Sequence, residues 1–531
     1  MLAGSRINCS PMQSIELLRD PTRYPHPAER VELLETHISW VLLAGDYAYK
    51  VKKPVKLGFL DFGSLAARRF YCEEELRLNR RTAPQLYLEV VPVTGSDADP
   101  HMDGEGRPIE YAVKMRRFPQ EALLSCMAEG GTLGAEHIDA LARGIAAFHS
   151  RVARVDAARP FGSAAEVLAP ALQNFDQIEA LIGAAADVPE LERLRGWTLR
   201  EHARLHAAFD ARKAGGFVRE CHGDLHLGNI VLLDGEPTPF DGIEFNEALR
   251  WIDVMNEVAF LVMDLFDRRL PRLAWRLLNG YLEATGDYAG LALLRYYLVY
   301  RALVRAKVAC IRAHQPNLNA QQGDRAGREY LEYLRLAKVL AENSPRALVV
   351  MHGVAGSGKT TVAQELLEAC GAVRLRSDVE RKRLQGLEAG ARTGSALGAG
   401  IYTPELTTQT YARLAALSGA VLEAGYPVIV DATFLAWTQR DAFAALAHES
   451  GVPFAIADCE APEGVLRERV ATRQQNASDA SEADLEVLGR QLASLEPLTP
   501  AELANSVGFD AGRAAPEAVA VLARRLGLPL S

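Results

Sequence analysis

Leu348–Thr361 reads LVVMHGVAGSGKTT. The apolar run Leu348 to Met351 leads into Gly353-Val-Ala-Gly-Ser-Gly358-Lys359-Thr360, which satisfies G-x-x-x-x-G-K-[ST] at every fixed position. Those residue types at that spacing have a physical purpose. Glycines let the backbone curl until successive N–H groups point inward at a phosphate, and the helix that follows adds the positive end of its dipole. The pattern assigns Gly353, Gly356, Ser357, Gly358, Lys359, Thr360 and Thr361 to the phosphates of a nucleotide, with Lys359 on the β- and γ-phosphates and the Thr360 hydroxyl on Mg²⁺. A strand-like run before the loop and the helix-like run Thr361–Cys370 after it support that assignment.

The residues downstream bear on what is done with the phosphate. Hydrolases of this class usually end their second apolar strand in an acidic pair whose second member activates water. Here Val428-Ile-Val-Asp431 is followed by Ala432. Asp431 is a candidate Mg²⁺ ligand with no neighbouring carboxylate to serve as a base for water, and no N-K-x-D guanine signature is present. The reading tilts to ATP and to transfer onto an acceptor hydroxyl.

Composition narrows the class. A chain of 531 residues has room for about three domain-sized units. Its 49% hydrophobic and 24% charged content is that of a soluble globular protein. The formal net charge of −9 argues against a general nucleic-acid binder. Seven cysteines are scattered without a C-x-x-C pair, which points to a reducing cytoplasm and neither a disulfide framework nor a zinc site. No apolar run reaches the ~18 residues of a membrane span, and the N-terminus lacks a secretory h-region.

Taken from the start, 1–30 is a Pro- and Arg-rich extension. Strands are expected at Ile38–Ala44 and Tyr47–Lys53, joined at Gly45-Asp46, with further strands at Glu89–Thr94 and Glu110–Arg117. The segment Leu65–Arg81 reads as a helix on which Phe70, Glu74 and Leu78 form an inward stripe, leaving Glu74 as the acid on that face. A strand lysine followed by a helix glutamate is how protein-kinase-like folds hold the α- and β-phosphates of ATP. Lys50 and Glu74 are the candidates; Lys52 shares the face of Lys50 and competes with it. Ile138–Val152 is periodic enough for a buried helix, and His149 near its end reads as a satisfied core histidine.

The second decisive stretch, Glu220–Leu233, reads ECHGDLHLGNIVLL. His222-Gly223-Asp224 and Asn229 reproduce H-x-D-x-x-x-x-N, with an apolar strand Ile230–Leu233 next and Asp241 twelve residues beyond Asn229. The spacing lets Asp224 meet an acceptor hydroxyl while Asn229 and Asp241 converge on Mg²⁺.

On these residues the N-terminal ~340 positions resemble the aminoglycoside phosphotransferase and choline kinase branch of the protein-kinase-like superfamily, which reads H-G-D-x-H-x-x-N and is matched by His222, Gly223, Asp224, His226 and Asn229. The resemblance implies Asp224 as catalytic base, Asn229 and Asp241 as metal ligands, Lys50 with Glu74 as phosphate clamp, and a small-molecule acceptor. His226 is read as supporting the loop. Asp253 resembles the acid that braces that loop, and a helix N-cap is the competing reading. The chain departs from protein kinases in Gly223, which stands where they carry Arg, in Gly242-Ile243 after Asp241, and in lacking a G-x-G-x-x-G loop.

Glu342-Asn-Ser-Pro345 breaks the helical text before the phosphate loop. The expected organisation is an α+β bilobal protein-kinase-like domain at 31–341, with an N-lobe at 31–117 and a C-lobe at 118–341, a linker at 342–346, and a three-layer α/β P-loop kinase domain with a parallel sheet at 347–531. In the latter, strand Ala372–Arg376 ends in Ser377-Asp378-Val-Glu-Arg381. An acid at the C-terminal end of a parallel strand faces the crevice where such sheets bind ligands, which makes Asp378 a candidate for orienting or deprotonating the acceptor and Arg381 its companion. Capping of the next helix by Ser377 or Asp378 is the competing reading. Gly386–Gly400 is Gly/Ala-rich and reads as a mobile loop. Arg469 and Arg473 lie at i, i+4 on Glu463–Gln475, a candidate lid over the phosphates or a solvated face. This half resembles the small-kinase branch of P-loop proteins, similar to polynucleotide 5′-kinases, gluconate kinases and zeta-toxin-like kinases. It is matched at Gly353–Thr360, Asp378-x-x-Arg381, Asp431-Ala-Thr433 and Arg469-x-x-x-Arg473.

The function expected is therefore ATP- and Mg²⁺-dependent phosphoryl transfer at two sites to small-molecule hydroxyls, in the cytoplasm. A nucleic-acid 5′-hydroxyl kinase in the P-loop half and an ATP-sensing scaffold with one inactive site are the rival readings.

Overall fold

The structure is a computed structural model that describes residues 11–57, 60–182, 187–315, 319–388, 391, 403–476, 484–510 and 516–530, the side chains of 11–13, 57 and 473–476 excepted. It divides into two compact units, one of Met1–Leu133, Phe148–Gly162 and Gly216–Glu257, the other of Gly134–Ala147, Ser163–Gly215 and Val258–Ser531. The expected linker at 342–346 falls inside the second, between helix Ala320–Ala341 and strand Leu348–His352. The segment Gly386–Gly400 falls largely outside the described residues. No described helix is long and apolar enough to cross a membrane.

The first unit is built on a six-stranded antiparallel sheet. Its spatial order is Val31–Glu35, Ser39–Ala44, Tyr47–Lys52, Pro108–Arg116, Tyr87–Ser96 and Asp99–Met102. Alternation along Tyr47–Lys52 sends Tyr49 and Val51 into one cluster with Trp40, Leu42 and Val93, while Ala48 joins a second cluster with Cys72, Tyr87 and Val113 on the opposite face. Lys50 and Lys52 share the Ala48 face, the one covered by helix Leu65–Asn79. That helix opens where the Ser64 hydroxyl accepts from the Ala67 N–H at 3.1 Å.

The expected stripe on this helix is corrected. Phe70 is 57% exposed, and the buried face carries Arg68, Cys72, Glu75, Leu78 and Asn79. Cys72 packs under the sheet and rotates Glu75, rather than Glu74, inward. Farther on, Ile230–Leu233 pairs with Glu236–Pro239 through Asp234 and Gly235, both at positive φ, a two-residue hairpin turn whose twist matches its strands.

The second unit contains long helices, among them Val188–Ala214, Leu291–Ala313 and Ala320–Ala341, and a five-stranded parallel sheet ordered Val373–Arg376, Val428–Asp431, Leu348–His352, Phe454–Glu460, Ser506–Asp510. Its central strands Leu348–His352 and Val428–Asp431 are buried on both faces, as near-continuous apolar runs require. Val349, Met351, Ile429, Ala455 and Ala457 pack against helices Lys359–Cys370 and Pro516–Leu526. Helices Pro404–Glu423 and Trp437–Glu449 cover the other face, completing three layers.

Below that second face, the Phe434 ring meets Tyr411 at 5.2 Å and Phe443 at 5.0 Å, both edge-on. Phe434 is held at φ +48, a conformation bulky residues avoid, and the Tyr411 hydroxyl accepts its N–H at 3.1 Å. Phe443 is therefore expected to support the turn after Asp431. Phe443→Ala should cost about 3–5 kcal/mol of stability, read from urea unfolding midpoints; a loss under about 1 kcal/mol would mean that the triad does not hold the turn.

Candidate active site

In the first unit, Lys50 and Lys52 emerge two residues apart and meet one carboxylate. Lys50 Nζ is 2.8 Å from Glu75 Oε1 and Lys52 Nζ is 2.7 Å from Glu75 Oε2. Lys50 also contacts the Asp241 carboxylate, and Lys52 that of Glu244. Burial works against the Glu75 carboxylate, and the two ammonium groups outweigh it and hold its pKa low. Burial likewise opposes the Lys50 charge, but Asp241 and Glu75 outweigh it and hold this pKa well above its usual range. For Glu244 burial wins over Lys52 and its pKa rises.

The expected clamp is corrected accordingly: Glu75 pairs with Lys50, whereas Glu74 accepts from Arg77 at 2.6 Å and from Arg250 at 3.0 Å. Of the two competing lysines, Lys50 reaches Asp241 and keeps 12% exposure, while Lys52 is fully buried.

The His222–Asn229 loop is fixed from behind by Glu257. Its carboxylate accepts the His222 N–H at 3.1 Å and the Gly223 N–H at 2.7 Å, and His149 Nε2 lies 3.0 Å away. Burial raises the Glu257 pKa, but the His149 contact and charge and the loop N–H groups outweigh it and bring it down to about 2. Of the two readings of Asp253, the helix cap is the one seen: its carboxylate accepts the Met255 N–H at 2.8 Å, one turn before Glu257. Gly223 sits at φ +89 with the Leu249 carbonyl 2.7 Å from where a Cβ would stand, so the departure from Arg has a steric cause. The His222 ring is 2.9 Å from the Phe240 carbonyl, and burial lowers its pKa, favouring the neutral imidazole.

Asn229 Nδ2 donates to the Asp224 carbonyl at 3.0 Å and to Asp224 Oδ2 at 3.1 Å. The Phe240 N–H donates to the Asn229 carbonyl at 2.9 Å, which brings Asp241 beside the loop. Asp241 is at φ +63, its N–H donated to the Tyr87 hydroxyl at 3.0 Å. The Asp224–Asn229 pair and the Asp241 carboxylate, which contacts Lys50, thus stand on adjoining backbone segments. His226 caps its own turn, accepting the Gly228 N–H at 3.1 Å.

In the second unit, the phosphate loop closes on itself. Gly353 is at φ +130, and a Cβ there would stand 2.4 Å from the Cys459 carbonyl. Lys359 Nζ donates to the Val354 carbonyl at 2.8 Å. Within the same loop the Ser357 hydroxyl is buried with no hydrogen-bond partner among the described residues, which suits a cradle for an anion. Gly356, Gly358, Lys359, Thr360 and Thr361 line a cavity of about 490 Å³ together with Asp378, Arg381, Asp431 and Thr433. Thr360 and Asp431 there offer oxygen donors to Mg²⁺.

Asp378 faces this cavity with Arg381 3.6 Å away. Helix Ser377–Leu384 has Arg376 as its N-cap and no side-chain capping bond, so neither Ser377 nor Asp378 caps it. Arg469 donates to the Gly356 carbonyl at 3.2 Å, against the loop rather than in the cavity lining. The side chain of Arg473 lies outside the described residues. Arg490, on helix Leu485–Ser494, lines the cavity, and Gln491 accepts the Ala355 N–H at 2.7 Å. Neither carries a sequence signal beyond helical periodicity. Arg376 lines the cavity too, and it had gone unread as an ordinary strand residue.

A kinase-like catalytic loop under an antiparallel sheet, and a phosphate loop on a parallel one, define a phosphotransferase joined to a P-loop domain. A phosphotransferase enzyme family model matches residues 68–294, and an AAA domain model matches 348–498. An uncharacterized protein of Mycobacterium tuberculosis is 30% identical over 460 residues, which span 85% of this chain and 88% of that one. The chain belongs to the same family as that protein, and it is a kinase-type phosphotransferase. Among solved structures, a gluconokinase from Sinorhizobium meliloti is 26% identical and covers 35% of this chain and 96% of its own at a TM-score of 0.25. Amicoumacin kinase, in complex with AMP-PNP, Ca²⁺ and Ami, is 14% identical and covers 60% and 92% at a TM-score of 0.39.

The buried charges yield two predictions. Glu75→Gln should cost about 3–5 kcal/mol and weaken nucleotide binding to the first unit at least tenfold, because two lysines lose their shared anion, whereas Glu74→Gln should cost about 1 kcal/mol. Unfolding midpoints and nucleotide titrations of the pair check the order, and a larger loss for Glu74→Gln would overturn it. The folded pKa of Glu257 lies below its ordinary 4.5, so its contribution is present above that value and fades as the pH falls towards about 2. Glu257→Gln should flatten the acid limb of a stability-versus-pH curve; an unchanged limb would assign acid lability to other carboxylates.

Proposed function

We propose that this chain carries two ATP sites, each passing the γ-phosphoryl group to a hydroxyl of a small molecule in the cytoplasm. The observation that supports it most is that Lys359, Thr360 and Asp431, candidates to grip phosphate and metal, line one cavity of about 490 Å³ together with Asp378 and Arg381, candidates to meet an acceptor. In this site Mg²⁺ would be held by Thr360 and Asp431, Asp378 would orient or deprotonate the acceptor hydroxyl, and Arg490 would add positive charge to the cavity. Mg²⁺ supplies charge neutralisation between the phosphates.

In the first unit, Lys50 would hold the α- and β-phosphates while Glu75 fixes its ammonium, and Asn229 and Asp241 would hold the metal. Asp224, kept in place by Asn229, would accept the proton of the acceptor hydroxyl. Neither set includes a nucleophile that would form a covalent phospho-enzyme, so the rate rests on positioning and charge.

The test is transfer of labelled γ-phosphate from ATP to a panel of aminoglycosides, sugars, nucleosides and 5′-OH oligonucleotides, with wild type, Asp224→Ala and Lys359→Ala. Each substitution should lower labelling of a different acceptor by about a hundredfold or more. Equal loss from both would mean one shared activity, salt-sensitive labelling of oligonucleotides alone would install the nucleic-acid reading, and ATP affinity without any labelled acceptor would install the scaffold.

A further inference from the structure

Helix Pro271–Thr285 lies in the span matched by the phosphotransferase family model, yet it shares a compact unit with the parallel sheet and docks on that sheet's edge strand. Asn279 Nδ2 donates to the Ala372 carbonyl at 2.9 Å, and its Oδ1 accepts the Arg374 N–H at 2.7 Å. One amide thereby satisfies two edge groups that another strand would have paired. One helical turn on, Glu283 grips the side chains of the same strand, with Oε1 2.8 Å from Arg376 and Oε2 3.1 Å from Arg374. Burial opposes the Glu283 charge, and the two guanidinium groups outweigh it.

Arg376 also looks the other way. Its Nε stands 3.9 Å from Asp431 Oδ2, beyond hydrogen-bond reach, and both residues line the cavity. Arg376 is 12% exposed and Asp431 5%, so water screens the pair weakly. A guanidinium that closed on Asp431 would occupy the oxygens a divalent ion needs.

We propose that Glu283 is a positioning residue of the P-loop site: by holding the Arg376 guanidinium back from Asp431 it leaves that carboxylate open to Mg²⁺. The inference rests on the reading of Gly353–Thr360 and Asp431 as a MgATP site. It makes that site dependent on a helix outside 348–498. Were Glu283 neutral, Arg376 would keep one acidic neighbour of this pair, Asp431, and move onto it.

The experiment uses the full chain with Asp241→Ala added to silence the first site, and follows binding of a fluorescent ATP analogue as Mg²⁺ is titrated. Glu283→Gln should raise the Mg²⁺ concentration for half-maximal binding about three- to tenfold and leave metal-free affinity, measured in EDTA, unchanged. Adding Arg376→Met should return the requirement to within about twofold of the starting protein, a rescue that a merely structural brace would not allow. Arg376→Met by itself, which decides the matter should Glu283→Gln fail to fold, should lower the requirement about two- to threefold. An unchanged requirement in Glu283→Gln, an increase that Arg376→Met does not reverse, or an unaltered or raised requirement in Arg376→Met alone would overturn the proposal. Binding that survives Lys359→Ala would instead remove the P-loop reading on which it stands.

Discussion

A carboxylate with no exposure to water, shared by two lysines, is the constraint around which the first unit is organised. Glu75 alone would be intolerable in that position, and so would either lysine. Each charge is balanced by the next, from Glu244 through Lys52, Glu75 and Lys50 to Asp241. That chain ties the strand Tyr47–Lys52, the helix Leu65–Asn79 and the segment 241–244 into one arrangement. Its outer end is open: the Asp241 side chain is 41% exposed, and this is the end that faces the Asp224–Asn229 loop. The network is closed where it supports the fold and open at the end where the phosphoryl transfer is proposed.

The same logic recurs behind the catalytic loop. Glu257 is fully buried, and three donors converge on it, two of them backbone N–H groups of the loop itself. A buried acid used this way fixes loop geometry more firmly than packing can, because a displaced N–H would leave an unpaired anion. In the second unit the corresponding role belongs to backbone conformation: positive φ at Gly353, Gly356 and Gly358 shapes the loop, and Phe434 is pinned in a left-handed turn by aromatic neighbours.

Much of this was legible in the residues. The two loops proposed to carry the chemistry, His222–Asn229 and Gly353–Thr360, are each contiguous, and their spacing is set by local backbone geometry. The strands Ile230–Leu233 and Val428–Asp431 and the helix Leu65–Asn79 could likewise be read from apolar runs and caps. The errors share a cause. Glu74 is read in place of Glu75 because Phe70, which is exposed, mimics an inward stripe, and Glu257 carries no local signal that it reaches back to the loop. Adjacent acids on a helix differ by about 100° in direction, and only the neighbour across the gap decides which one is inside.

Sequence alone determined two phosphate-handling motifs, their order, the fold class of each half and the residue types that could serve ATP and a divalent ion. Tertiary structure decided which charges meet: Glu75 with both lysines, Glu257 with the loop, Arg490 with the cavity, and Glu283 with Arg376. The division follows from range. A motif is written in bonds between near neighbours along the chain, whereas an ion pair between residues 93 positions apart depends on how helices and strands pack, and no local pattern encodes that.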